Sequence, residues 1–153
     1  MFLDSFTQIS SAQALTATAA SEDFIDLQNP RDLTIGEDLA LVINWRLGAG
    51  GTSPTFAAAI QVDDNTSFSS PTTLITSKTL SGTTAMPAGA QLVLIIPPFT
   101  ELFNADPRQA EFRYLRANYT LGGTSPTMTI DATIVPARML QNPRGYASGF
   151  FVS

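Results

Sequence analysis

With 153 residues, a hydrophobic fraction of 44% and a charged fraction of only 14%, the chain can bury one self-sufficient core and is expected to form a single domain. The net charge of −5 argues against phosphate-backbone binding, and no apolar run approaches the ~20 residues of a membrane span, so neither nucleic acid nor membrane is an expected partner. Cys and His are both absent, which excludes disulfides, thiolate zinc sites and the usual nucleophile–base pairs; no catalytic residue, metal or cofactor is expected, and the chain does not read as an enzyme.

Residues 1–23 are small and polar without a sustained stripe, and are expected to be an N-terminal arm that orders against something else. No basic residue precedes Arg31, so the start lacks the charged opening of a signal peptide, and synthesis in the cytoplasm is expected. FIDLQ (24–28) reads as a strand closed by Asn29-Pro30. In DLALVINWRL (38–47), Leu39, Leu41, Ile43, Trp45 and Leu47 alternate with smaller or polar residues, which predicts a half-buried strand with the heavy residues inside. TFAAAIQV (55–62) alternates likewise, with Phe56, Ala58, Ile60 and Val62 on one side.

Further along, TTLITSKTL (72–80) is a strand, and QLVLIIPPF (91–99) is a continuous apolar run expected to be covered on both faces. FRYLRANYTL (112–121) and MTIDATIV (128–135) complete the set, the latter with Met128, Ile130, Ala132 and Ile134 facing the core. Short strands at regular spacing with almost no helical signal predict an all-β fold, a jelly-roll or antiparallel β-sandwich. The expected division is an arm over 1–23, a sandwich over 24–136 and a C-terminal tail over 137–153.

One phrase is written twice. NWRLGAGGTSPTF (44–56) aligns with NYTLGGTSPTM (118–128), so that GGTSPT recurs at 50–55 and 122–127. Each copy lies between two strong strands and carries the Gly and Pro of a turn, which predicts two hairpins in related places of the fold.

Chemistry-bearing patterns are sparse. The carboxylate pairs Glu22-Asp23, Glu37-Asp38 and Asp63-Asp64 fall at turns or strand ends, where neighbouring side chains diverge. Asp63-Asp64-Asn65 opens like a calcium loop, but Phe68 and Leu74 stand where that loop needs Gly and Glu. A plain turn is favoured there, with a weak ion site of another geometry left open. Seven of the eight cations are Arg, the cation favoured at protein interfaces, although genome base composition would give the same bias. Arg108, Arg113 and Arg116 lie beside aromatics within nine residues. In an acidic chain they are expected to be packed or interfacial, paired with acids, rather than to form a nucleic-acid platform. The acids concentrated before Arg46 are positioned to meet this Arg group, between two copies or on a partner.

SAQALTATAASEDFIDL (11–27), DDNTSFSSPTTLITS (63–77), GAQLVLIIP (89–97) and RYLRANYTLGG (113–123) resemble, in the same order, the capsid cement or decoration proteins of tailed bacteriophages. The closest type is the small jelly-roll protein that clamps the head of short-tailed phages. The resemblance implies a structural protein of the virion, on the outer surface of the capsid, that staples neighbouring major capsid proteins and stabilises the mature shell. It implies a homo-oligomer, with a dimer favoured over a trimer. The candidate contact residues are Phe2, Leu3 and Phe6 in the arm, Arg108, Arg113 and Arg116, and the loops around Pro54 and Pro126. The alternative is a tail or fibre accessory module binding host-surface carbohydrate, which would need an outward aromatic platform from Trp45, Tyr114 or Tyr119.

Overall fold

The two GGTSPT segments do not close hairpins; they pair with each other. The computed structural model describes residues 7–27, 38–96 and 113–140. Within them β4 (Leu39–Asp63) and β8 (Tyr114–Pro136) run antiparallel over their whole lengths, each carrying its GGTSPT in the middle. At the crossing Gly50 faces Thr127, Thr52 faces Thr124, and Thr55 faces Gly122. Exchanging the two copies of the motif maps this register onto itself, so a local two-fold axis passes between Thr52 and Thr124.

The backbone repeats with the same symmetry. Gly51 and Gly123 have φ of 94° and 100°, and Ser53 and Ser125 both have φ of 50°. A Cβ on Gly51 would lie 2.7 Å from the Thr124 carbonyl oxygen, and one on Gly123 would lie 2.8 Å from that of Thr52. The turn chemistry read from the sequence is thus present but serves another end. Each strand kinks without reversing, because the facing strand kinks at the same place and keeps the ladder going. A hairpin would instead have required β4 to pair with itself.

The kink divides the sheet into two four-stranded halves. One has the order β7 (Gln91–Ile96), β4 (39–47), β8 (129–136), β1 (Gln8–Leu15). The other places β5 (Thr72–Thr76) and β6 (Leu80–Ser81) beside β4 (55–63), then β8 (114–122), then β2 (Ala19–Ala20) and β3 (Ile25–Asp26). Counting each half of β4 and β8 as one strand, and β2/β3 and β5/β6 as one edge each, gives chain order 6-3-8-1 in the first sheet and 5-4-7-2 in the second. Every pairing is antiparallel. This is the strand order of a jelly-roll, and the expected all-β sandwich is what the chain forms.

The halves close on a single core. Leu41, Ile43, Trp45 and Ile130 from the first sheet join Phe56, Ile60, Leu115 and Tyr119 from the second. Trp45 meets Phe56 edge-on at 5.1 Å between centroids, and Phe56 stacks on Tyr119 at 5.9 Å. A buried polar clasp also crosses the layers. Tyr119 Oη lies 2.8 Å from Ser10 Oγ, which donates to Gln13 Oε1 at 2.7 Å, while Gln13 Nε2 donates to the Ala20 carbonyl at 2.8 Å.

Five expectations differ from what the chain does. The start of β4 is not half-buried: Ala40 and Val42, opposite in face to Leu41 and Ile43, are buried as well. From Gln8 onward the expected arm is sheet: β1 buries Ile9 and Leu15 at 1% exposure each. Bulges between Gln8 and Ser10 and between Ser10 and Gln13, with Ala12 at φ 50°, break the alternation that would have revealed it. β7 is an edge strand and not a doubly covered one; Leu94 and Ile96 point into the core while Val93 and Ile95 stay 39% and 46% exposed. Leu47 is 58% exposed instead of internal, because the register shifts after Trp45. The hairpins are replaced by the crossing already described.

Candidate interaction surface

On the outer face of the second sheet the two described members of the Arg group come together with three rings. The core positions Leu115 and Ala117 turn Tyr114 and Arg116 outward. Ile25 packs on the core and leaves Phe24 outside, 43% exposed, with its ring 5.4 Å from that of Tyr114 at 89°. Phe68 arrives from the loop after β4 and meets Phe24 at 6.2 Å. Arg116 lies over Phe68 with Cζ 4.2 Å from the ring centroid, and Arg113 lies over Tyr114 at 5.1 Å. Two guanidinium groups therefore bracket a row of three aromatic rings.

The two Arg side chains are held differently. Arg113 makes a bidentate pair with Asp26, Nε to Oδ1 and Nη2 to Oδ2, both at 2.8 Å. That hydrogen bond raises its pKa further above the ordinary value. For this pair, the acidic front and the Arg-bearing strand meet within one chain. Arg116 donates from Nε to Gln61 Oε1 at 3.0 Å, and among the described residues no acidic side chain is bonded to it. Burial lowers its pKa, against the raising effect of the charge on Asp63.

The loop that presents Phe68 is built on Asp63, a buried carboxylate. Its Oδ1 accepts from Asp64 N at 2.7 Å and Asn65 Nδ2 at 3.1 Å, and Oδ2 accepts from Ser70 N at 3.0 Å. Burial pushes its pKa up, but these hydrogen bonds from Ser70, Asp64 and Asn65 outweigh it and hold the group below the usual carboxylate range. Asn65 Oδ1 in turn accepts from Ser67 N at 3.1 Å. The resemblance to a calcium loop is thus explained by a turn whose carboxylate is engaged by N–H donors, and no cluster of three or more metal-ligating side chains occurs among the described residues.

The other candidates fall elsewhere. Phe2, Leu3, Phe6 and Arg108 lie outside the described residues. Pro54 is buried, with its carbonyl accepting from Gly82 N at 2.9 Å, and Pro126 is half-buried. At the crossing it is Thr52, Ser53, Thr124 and Ser125 that are exposed. Of the rings proposed for a carbohydrate platform, Trp45 and Tyr119 are core and only Tyr114 faces out. Sequence reasoning missed Phe24 and Phe68. Phe24 read only as the first residue of a short strand with no face assigned, and Phe68 carries no periodic signal because it sits in a loop at φ 48°.

Fold and surface together define a jelly-roll module whose second sheet carries an outward row of aromatic rings between two arginines. The family model for Bbp16 matches residues 9–134, from the first strand to the last, and the chain belongs to that family. The family is phage-associated, and the chain is a phage protein. No curated protein matches it.

Proposed function

We propose that the chain is a capsid cement protein that binds the outer surface of the phage head and staples neighbouring major capsid proteins, acting as a homo-oligomer. The observation that carries this reading is that the described surface bears two separate patches of interface character. One lies on an edge strand of the first sheet, whose outer side is otherwise buried at Ala40, Val42, Thr133 and Val135, and one on the outer face of the second sheet. The first sheet exposes Val93 and Ile95 on its edge, and the second exposes Phe24 beside Arg113 and Arg116. A staple needs two such surfaces, since it contacts two neighbours at once. The resemblance of the sequence to cement proteins and the phage-associated family supply the setting.

Stabilisation then follows from mass action. A molecule that binds only the mature lattice lowers the free energy of that state. The direct test compares heads assembled with and without the protein, by copy number per shell subunit and by the temperature of genome release. Heads that release their genome at the same temperature in both cases would overturn the reading. Val93 and Ile95 give a sharper version. Replacing both by Lys spares the inward Leu94 and Ile96 and is expected to cost the isolated protein about 1 kcal/mol or less per site, while reducing head occupancy.

The carbohydrate alternative retains one specific support, the outward rings of Phe24 and Tyr114 beside polar groups. Glycan-array binding by the full chain, or its recovery with tails instead of heads, would favour it.

A further inference from the structure

The contacts that hold Arg116 leave most of its donors unused among the described residues. Stacking on Phe68 and the Nε bond to Gln61 fix its guanidinium in place. Its Nη atoms, which carry four N–H donors, have no hydrogen-bond acceptor among the described residues. The nearby carboxylate does not serve them, because Asp63 is engaged by Asp64, Asn65 and Ser70. Arg113 stands as the contrast, its fork filled by Asp26.

The platform under Arg116 carries strain. Phe68 sits at φ 48°, a conformation that a bulky side chain rarely adopts. It is held there by the Asp63-centred loop, by the Phe24 ring and by the Arg116 stack. Strain of this kind persists only where surrounding structure imposes it, and it clusters at sites that must be set in advance. The result is a flat, immobilised fork next to a half-exposed apolar ring. Such a fork matches a carboxylate in bidentate geometry at little conformational cost.

We infer that the Arg116–Phe68–Phe24 platform is the anchor by which this protein grips its partner, and that the partner offers an acidic side chain flanked by an apolar one. Complementarity of charge and geometry selects this occupant: the open edge of Arg116 needs anionic acceptors, and Phe24 needs apolar cover. Within the stapling reading, on which the identity of the partner rests, this segment belongs to the major capsid protein. The platform itself is defined without that assumption.

Two arms separate the claims. In the first, the full-length protein is titrated with a capped tripeptide of glutamate, phenylalanine and glutamate while the Arg116 Nε–H and Phe24 ring signals are followed by NMR. Selective shifts are expected at both signals, absent with the glutamine analogue and, read at the Phe24 ring, absent in Arg116→Lys, which keeps the charge but loses the fork and the stack. No selective shift, or equal shifts with the glutamine analogue, overturns the platform inference whatever heads do. In the second arm, heads assembled without the protein are the probe. Arg116→Gln and Phe24→Ala, both confirmed to melt like wild type, are expected to weaken binding ~10-fold or more, as for central interface anchors. Wild-type binding unaffected by either change also overturns it. Failure of wild type itself to bind heads sinks the capsid reading alone. Glycan binding that depends on Phe24 and Arg116 would replace the acidic partner with a sugar and overturn the inference as stated.

Discussion

Alanine at Gly51 probes the crossing most directly, and two costs add there. A side chain at φ 94° carries the left-handed penalty, about 1–2 kcal/mol. Its Cβ would also stand 2.7 Å from the Thr124 carbonyl oxygen, with the Ser125 carbonyl nearer still. Both obstacles are backbone in the facing strand, so relief requires the ladder to part, an overpacking cost of about 1–3 kcal/mol. Gly51→Ala is therefore expected to cost about 2–5 kcal/mol, or roughly 5–20 °C in Tm for a domain of this size. Gly89 is a built-in control: its φ is 83°, yet a Cβ there meets nothing within 4 Å. Gly89→Ala carries the conformational penalty by itself, about 1–2 kcal/mol. The local two-fold requires Gly123→Ala to match Gly51→Ala. The double variant should cost less than the sum by about 0.5 kcal/mol or more, because both changes open one shared crossing. Urea and thermal unfolding of the four variants settle the matter. If Gly51→Ala loses no more than Gly89→Ala, the close approach is refuted; if Gly123→Ala is tolerated where Gly51→Ala is not, the symmetry is.

Acid should weaken the fold through two carboxylates. Burial raises the Asp131 pKa, but hydrogen bonds from Arg46 and from Ala12 N, with the Arg46 charge, outweigh it; Asp63 is likewise held low. A depressed folded value means stability that is fully present above the unfolded pKa near 4 and lost as pH falls through the folded value. Urea midpoints should therefore stay flat from about pH 7 to 5 and decline below about 4, with a shallower decline in Asp131→Asn. Tyr119→Phe removes the hydroxyl bonded to Ser10 and is expected to cost about 1–2 kcal/mol by thermal melting, with no change in head binding at the outer face. Removing residues 1–6 spares β1, whereas removing 1–10 also takes the buried Ile9 and Ser10, so only the longer deletion should cut the Tm sharply. Head occupancy of the shorter deletion then reads the contribution of Phe2, Leu3 and Phe6 by itself, and unchanged occupancy would remove them as contacts.

Alternation made the inner faces of β4 and β8 legible, since Leu41, Ile43, Phe56, Ile60, Ile130 and Ile134 repeat every second residue and all are buried. Where a strand is bulged, the same reading fails. β1 places Ile9 and Leu15 six residues apart across two irregularities, and Leu47 leaves the core after one. The duplicated GGTSPT was visible, but its use was not. Gly with positive φ followed by Ser-Pro serves a reversal or a kink equally well, and only the pairing partner decides. At the surface, the Arg group was legible as packed and acid-paired; Arg113 is paired with Asp26, whereas Arg116 is packed on Phe68 and bonded to Gln61 instead of to an acid. The rings that complete it were hidden, because Phe24 and Phe68 come from segments 40 or more positions distant from each other and from Tyr114 in the chain.

The crossing also bears on how stapling would work. In most sandwiches the two sheets are joined by loops, and their outer faces can shift against each other. Here the central strands of both sheets are the same two strands, β4 and β8, locked in register where GGTSPT meets GGTSPT. Arg116 on one outer face is on the strand whose other half lies at the centre of the sheet that carries Val93 and Ile95 at its edge. Two contacts fixed at a set separation make the second binding event intramolecular, and that gain, about 10²–10⁴ in avidity, is largest when the spacing matches and does not fluctuate. A variant that loosens the crossing without unfolding the protein, such as Gly51→Ala well below its melting temperature, should therefore lose head affinity although it alters neither outer patch. Undiminished affinity in that variant would mean that the two faces act independently, and the proposed staple would reduce to two separate handles.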